Sequence, residues 1–120
     1  MATLLHIDTA LEEAIVCISN NGILIGCLKN NNQQSHASFL QPAIKKLLQQ
    51  HKISLSSINA VAVTLGPGSY TGIRVGLASA KGLCFALDKP LIGISTLQVL
   101  APQSIINTKT ENDNVLYIPM

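Results

Sequence analysis

Ala60-Val61-Ala62-Val63-Thr64-Leu65, followed by Gly66-Pro67-Gly68-Ser69-Tyr70-Thr71-Gly72-Ile73-Arg74-Val75-Gly76, reads as a buried strand, a tight turn and the opening of a helix. Residues 60–65 are apolar except for Thr64, the pattern of a strand covered on both faces. Two glycines flanking a proline let the chain turn sharply from strand to helix. The helix runs over about Tyr70–Leu87 until Asp88-Lys89-Pro90 breaks it. Free backbone N–H groups at such a helix start can cradle an anion. The G-x-x-x-x-G-K-[ST] spacing of a nucleotide phosphate loop is absent, however. A strand feeding a helix directly is the unit from which α/β folds are built, so this segment sets the class.

Working outward, Leu91–Ile94 is a short strand and Ser95 caps a last helix through Leu100-Ala101. Pro102–Asn114 is polar and turn-rich, and Val115–Ile118 opens another strand. Upstream, Leu40, Ala43, Ile44, Leu47 and Leu48 recur at helical spacing. Ser38 as N-cap with Gln41 three residues on would leave Pro42 in the first turn. A start at Ser35 with a kink at Pro42 is the alternative. Lys29–Gln34 is a polar loop and Lys52–Asn59 a connector. Ala14–Ser19 and Ile23–Leu28 flank Asn20-Asn21-Gly22, the signal of a hairpin with a type I′ turn. Asn20 then faces Ile23, Cys17 faces Gly26, and Cys27 faces Val16 on the other side of the sheet, so no disulfide is expected. Both hairpin faces are apolar, which predicts a sheet covered on both sides. Leu4, Leu5 and Ile7 form a first strand ending at Asp8-Thr9. The order is β-β-β-α-β-α-β-α, an α/β mixed sheet with covering helices.

The 120 residues suit one domain. Charged residues are 12% against 48% hydrophobic, about half the usual charged share. Such a chain has an unusually apolar surface or one that a partner covers. The net charge of +2, a single arginine (Arg74) and 3% aromatics argue against a direct nucleic-acid binder. Cys17, Cys27 and Cys84 form no C-x-x-C pair and read as reduced thiols. The N-terminus lacks the basic and apolar regions of a signal peptide, and no apolar run is long enough to span a bilayer. A soluble cytoplasmic protein is the expectation.

Asp8 stands at the tip of the first strand, where α/β folds place ligands, and with Gly66, Gly68 and Ser69 it makes a possible phosphate site. Glu12, Glu13, Asp88, Glu111 and Asp113 offer no paired acid–base placement. His6, His36 and His51 lie too far apart for a zinc motif, so neither catalytic nor metal-binding residues are expected. Between Gly72 and Leu87 only Arg74, Ser79 and Lys81 are polar, so the helix must be covered on more than its sheet side. Gly72, Gly76 and Ala80 recur every fourth residue, with Ala78 and Gly82 on a neighbouring line. These small residues admit either another chain's helix or the protein's own sheet. The first reading makes Gly72, Gly76 and Ala80, with Leu40, Ile44 and Leu47 of the preceding helix, a partner surface. The same patch would pair two copies of the chain when the partner is absent.

The stretch Gly66–Gly76 closely resembles the signature of the TsaB (YeaZ) family. Ile7-Asp8-Thr9-Ala10, the Ser35-His36 to Pro42 stretch and Ile92-Gly93-Ile94-Ser95-Thr96-Leu97 agree in order and spacing, so the resemblance covers residues 1 to about 101. It implies a ribonuclease-H-like lobe of the actin-like (ASKHA) superfamily. It also implies a non-catalytic partner of TsaD, the enzyme that puts a threonylcarbamoyl group on the adenosine beside the anticodon of certain tRNAs. TsaE, an ATPase, joins them, and tRNA would be met only through the complex. The related catalytic subunit carries an H-x-x-x-H metal motif where this chain has Ser95-Thr96-Leu97-Gln98-Val99-Leu100, without histidine. No transfer activity, metal or cofactor is therefore expected. Complete members of the family continue through a second lobe. Residues 1–101 thus read as the N-terminal lobe, and 102–120 as a linker and the first strand of a missing C-terminal lobe. The alternative is a nucleotide-binding lobe of an actin-like kinase or of the transferase itself, with Asp8 and the Gly66–Gly68 turn on phosphate.

Overall fold

A single sheet with strand order β3-β2-β1-β4-β5-β6 organises the chain. The computed structural model describes residues 2–31, 36–95 and the strand at 115–118. The strands are β1 (Thr3–Asp8), β2 (Ala14–Asn20), β3 (Ile23–Asn30), β4 (Ala60–Gly66), β5 (Leu91–Ser95) and β6 (Val115–Ile118). Helix α1 (His36–Gln50) and a short 3-10 turn (Leu55–Ser57) lie between β3 and β4, and α2 (Tyr70–Leu87) between β4 and β5. β4 runs parallel to β1 and β5, and the other pairs are antiparallel. The mixed α/β sheet matches the expectation, as does the α2 span. Ser69 caps α2 by accepting from the Gly72 N–H at 3.1 Å, and Asp88 closes it in the left-handed region. Val115–Ile118 pairs antiparallel with β5.

One sheet face carries the core. Leu5, Ile7, Val16, Ile18, Val61 and Val63 meet Leu40, Ile44 and Leu47 of α1 and Ala80 and Cys84 of α2, all nearly or fully buried. Burying each large side chain contributes about 1.5–3 kcal/mol. Both described helices lie on this face, not one on each side. The last helix, expected through Leu100-Ala101, falls outside the described residues.

Three local expectations are corrected. Helix α1 starts at His36, so Pro42 lies inside it instead of in the first turn, and Ser38 is not its cap. Burial of His36 and Leu40 draws the earlier residues into the helix. β3 continues through Lys29 to Asn30, which shortens the expected loop. The hairpin turn is as expected, with Asn21 and Gly22 at positive φ and Asn20 opposite Ile23, but the register then slips. Ser19 pairs with Leu24 and Ile18 with Gly26, leaving Ile25 as a bulge. Cys17 therefore faces Cys27, and the two form a disulfide, contrary to the unbulged reading. The reason is packing on the helix-covered face. Gly26 lies beneath the His51 ring, whose Cδ2 and Cε1 would be 3.1 Å from any added Cβ. Leu28, opposite Val16, packs on the core. An unbulged strand would bring Ile25 under His51 and turn Lys29 toward the core, since a one-residue slip exchanges the faces.

Candidate functional site

The end of β1 and the Gly66–Ser69 turn are packed together. Asp8, 3% exposed, accepts the Ala10 N–H at 3.1 Å and holds the loop after β1 in a tight turn. The Ala10 carbonyl in turn accepts the Ser69 N–H at 2.7 Å. Gly68 lies against Ala10, whose Cβ would be 3.0 Å from a Cβ at that position. Gly66, at φ +117°, adopts a backbone conformation open to glycine, and its bond to Pro67 is cis. Asp8, Gly66, Gly68 and Ser69 thus come together at the C-terminal end of parallel strands. The Ser69 and Gly72 N–H groups, however, are already bonded within the chain.

Thr9 explains the glycines that follow. It is fully buried, and its hydroxyl donates to the Gly72 carbonyl. A Cβ on Gly72 would fall on the Thr9 carbonyl group, and one on Gly76 on the Thr9 hydroxyl and within 3.6 Å of Ile7 and Val63 methyls. Gly72, Gly76, Ala80 and Cys84 are the buried line of α2 and face the chain's own sheet. Leu40, Ile44 and Leu47 are likewise buried, at 0%, 3% and 1% exposure. The six residues assigned to a partner surface are therefore interior. Periodicity located an apolar stripe, but the sheet claimed it first.

What remains outside is the neighbouring line. Tyr70, Arg74, Ala78, Lys81, Gly82 and Phe85 are exposed on the opposite side of α2. Phe85 is 83% and Tyr70 72% exposed, and a Cβ on Gly82 would meet nothing within 4 Å. The Arg74 guanidinium lies over the Tyr70 ring, 5.4 Å from its centroid. A groove of about 690 Å³ opens where α1 and α2 meet, lined by Pro42, Ile44, Lys45, Leu48, Ile53, Leu55 and Leu83 among others. The sequence signal for this surface was the Ala78–Gly82 line; Phe85 and Tyr70 carried no mark of exposure. On the sheet face opposite α1 and α2, His6 Nε2 lies 3.2 Å from Thr64 Oγ1. Burial holds the His6 ring below its ordinary pKa, against the opposing pull of the Asp8 carboxylate. Among the described residues no cluster of His, Cys, Asp and Glu is arranged to hold a metal, and no helix is long and apolar enough to cross a membrane.

Comparison with known proteins adds to this geometry. The family model described as TsaD, tRNA N6-adenosine threonylcarbamoyltransferase, matches residues 25–118. The tRNA threonylcarbamoyladenosine biosynthesis protein TsaB of Buchnera aphidicola subsp. Schizaphis graminum is 37% identical over 101 residues, covering 84% of this chain and 48% of the relative. The structure of YeaZ from Pseudomonas aeruginosa superposes with a TM-score of 0.81 at 30% identity, covering 98% of this chain and 59% of that one. The chain belongs to the TsaB (YeaZ) family. Its sheet and helices are accordingly the ribonuclease-H-like, actin-like fold. The chain is also similar to tRNA N6-adenosine threonylcarbamoyltransferases: that of Lawsonia intracellularis is 36% identical over 108 residues, covering 78% of this chain and 30% of the relative, and that of Symbiobacterium thermophilum is 49% identical over 63 residues, covering 52% and 18%. This TsaB-family chain spans about half the length of the curated TsaB relative, 48%.

Proposed function

We propose that the chain is the N-terminal lobe of a non-catalytic TsaB-type subunit, acting in cytoplasmic tRNA threonylcarbamoyladenosine biosynthesis by docking a TsaD-type catalytic subunit. A TsaE-type ATPase would join the complex, and tRNA would be met only through it. The observation that carries this reading is the exposed side of α2, where Phe85 and Tyr70 frame the small residues Ala78 and Gly82. Small residues let a partner helix come close, and exposed aromatics are the side chains that most often anchor an interface. The likeness to TsaB relatives and the histidine-free stretch Ser95–Leu100 support the non-catalytic assignment. In the absence of the partner, the same side of α2 would pair two copies across a two-fold axis.

Titration calorimetry with the TsaD-type subunit from the same source tests it. Phe85→Glu should weaken binding by about 2 kcal/mol or more, at least about thirtyfold in Kd. Unchanged affinity in a folded variant would remove α2 from the interface. The nucleotide-lobe reading retains Asp8 at the strand tip. It is disfavoured by the Ser69 and Gly72 N–H groups being used within the chain. Saturable Mg-ATP binding tighter than millimolar would restore it.

A further inference from the structure

Residues paired across neighbouring strands project from the same side of a sheet. Leu5 pairs with Ile18 and Ile7 with Val16, and all four belong to the helix-covered face. His6 pairs with Cys17, and Cys17 with Cys27. These three therefore form a row on the opposite face, where no described helix packs. Cys17 and Cys27 are half-buried there and joined as a disulfide. Among the described residues β3 is the edge strand, with no described strand beyond Cys27.

Thiol–disulfide exchange depends on which sulfur can be reached, because the attacking, attacked and leaving sulfurs must come nearly into line. The bond joins β3 to β2. On the far side of Cys17 the next residue of the row is His6 on β1. On the far side of Cys27 no described strand follows. We propose that Cys17–Cys27 is a reversible exchange site for low-molecular-weight thiols and disulfides, entered at Cys27, with Cys17 as the leaving sulfur.

In the reducing direction a small thiolate bonds to Cys27 Sγ. The Cys27–Cys17 bond breaks, its electron pair stays on Cys17 Sγ, and that sulfur takes a proton from water. A second thiolate attacks the small-molecule sulfur of the mixed disulfide, the pair passes to Cys27 Sγ, and it too is protonated. Two small thiols have become one disulfide, and the protein disulfide two thiols. In the oxidising direction the Cys27 thiolate attacks the small disulfide and expels one thiolate. The Cys17 thiolate then closes the bond and expels the other. Neither state requires the hairpin to refold, because Gly26 under His51 and Leu28 on the core hold the bulged register without the covalent bond. Cys84 does not compete: it is 1% exposed in α2, its Sγ donates to the Pro90 carbonyl at 3.4 Å, and burial pushes its thiol pKa up.

The test is incubation of the full natural chain, under native conditions, in glutathione buffers of graded ratio, followed by acid quench, alkylation and peptide mass mapping. Cys17 and Cys27 should gain and lose free-thiol character together while Cys84 stays protected, and the trapped mixed disulfide should sit on Cys27. In Cys17→Ser and Cys27→Ser, checked for folding by circular dichroism, glutathione disulfide should modify Cys27 faster than Cys17, by about tenfold. The trapping arm uses unmodified protein and does not depend on either variant folding. A disulfide that never forms or opens only in denaturant, a mixed disulfide on Cys17, or equal or reversed rates would overturn the proposal.

Discussion

The two glycines Gly72 and Gly82 lie on the same helix, and alanine at each should move stability in opposite directions. Either substitution recovers about 1 kcal/mol of helix propensity. At Gly82 nothing lies within 4 Å of the new Cβ, so that gain is the whole effect. At Gly72 the new Cβ lies 3.2 Å from the Thr9 carbonyl carbon, with the oxygen closer still. Both atoms are backbone at the end of β1, where no side chain can rotate away. The first turn of α2 must retreat. Overpacking of that kind costs about 1–3 kcal/mol. Retreat also breaks the buried bond from the Thr9 hydroxyl to the Gly72 carbonyl, leaving a donor unpaired at about 1–3 kcal/mol. Net of the propensity gain, Gly72→Ala should lose about 3 kcal/mol, or about 10–15 °C in Tm for a domain of this size. Gly82→Ala should gain about 3–4 °C on the same scale. Thermal and urea denaturation followed by circular dichroism read both. A Gly72→Ala protein as stable as wild type, altered only in self-association, would show that Gly72 faces a partner and would refute the packing reasoning.

Other outcomes follow from single contacts. His6 has its folded pKa depressed by burial, so the folded state takes up its proton later than the unfolded chain as pH falls. Its stabilising contribution is present above the unfolded value of about 6.5 and is lost as pH falls from there through the folded pKa. Urea midpoints from pH 8 to 5 should show this fall, and His6→Gln should flatten it. Thr9→Val keeps the shape but removes the hydroxyl donor to Gly72, and should cost about 1 kcal/mol by urea denaturation. Asp88 closes α2 at φ 56°, where glycine is unstrained, so Asp88→Gly should raise Tm, with a gain of up to about 1 kcal/mol. Phe85→Glu should shift the isolated chain toward monomer in sedimentation velocity while leaving its helix signal intact.

Much of this protein was settled by chemistry that the sequence displays within a few residues. Asn21-Gly22 fixes a turn because few residue pairs accept positive φ twice in succession. Ser69 and Asp88 bound α2, and the apolar run from Ala60 makes a central strand, because caps, breakers and strand periodicity are local properties. The Gly66–Gly76 segment also carried enough specific residues to reveal the family. Three matters depended on contacts far apart in the chain. The start of α1 depended on the burial of His36, whose Nε2 lies 3.2 Å from the Leu11 carbonyl. The register of β3 depended on His51, remote in sequence, needing a residue without a side chain beneath it. The side of α2 that faces inward depended on Thr9, which fits only against Gly72 and Gly76. Helical spacing shows that a stripe exists but is blind to which neighbour fills it. Only folding the sheet against α2 assigned Gly72, Gly76 and Ala80 to the core and left Ala78, Gly82 and Phe85 outside.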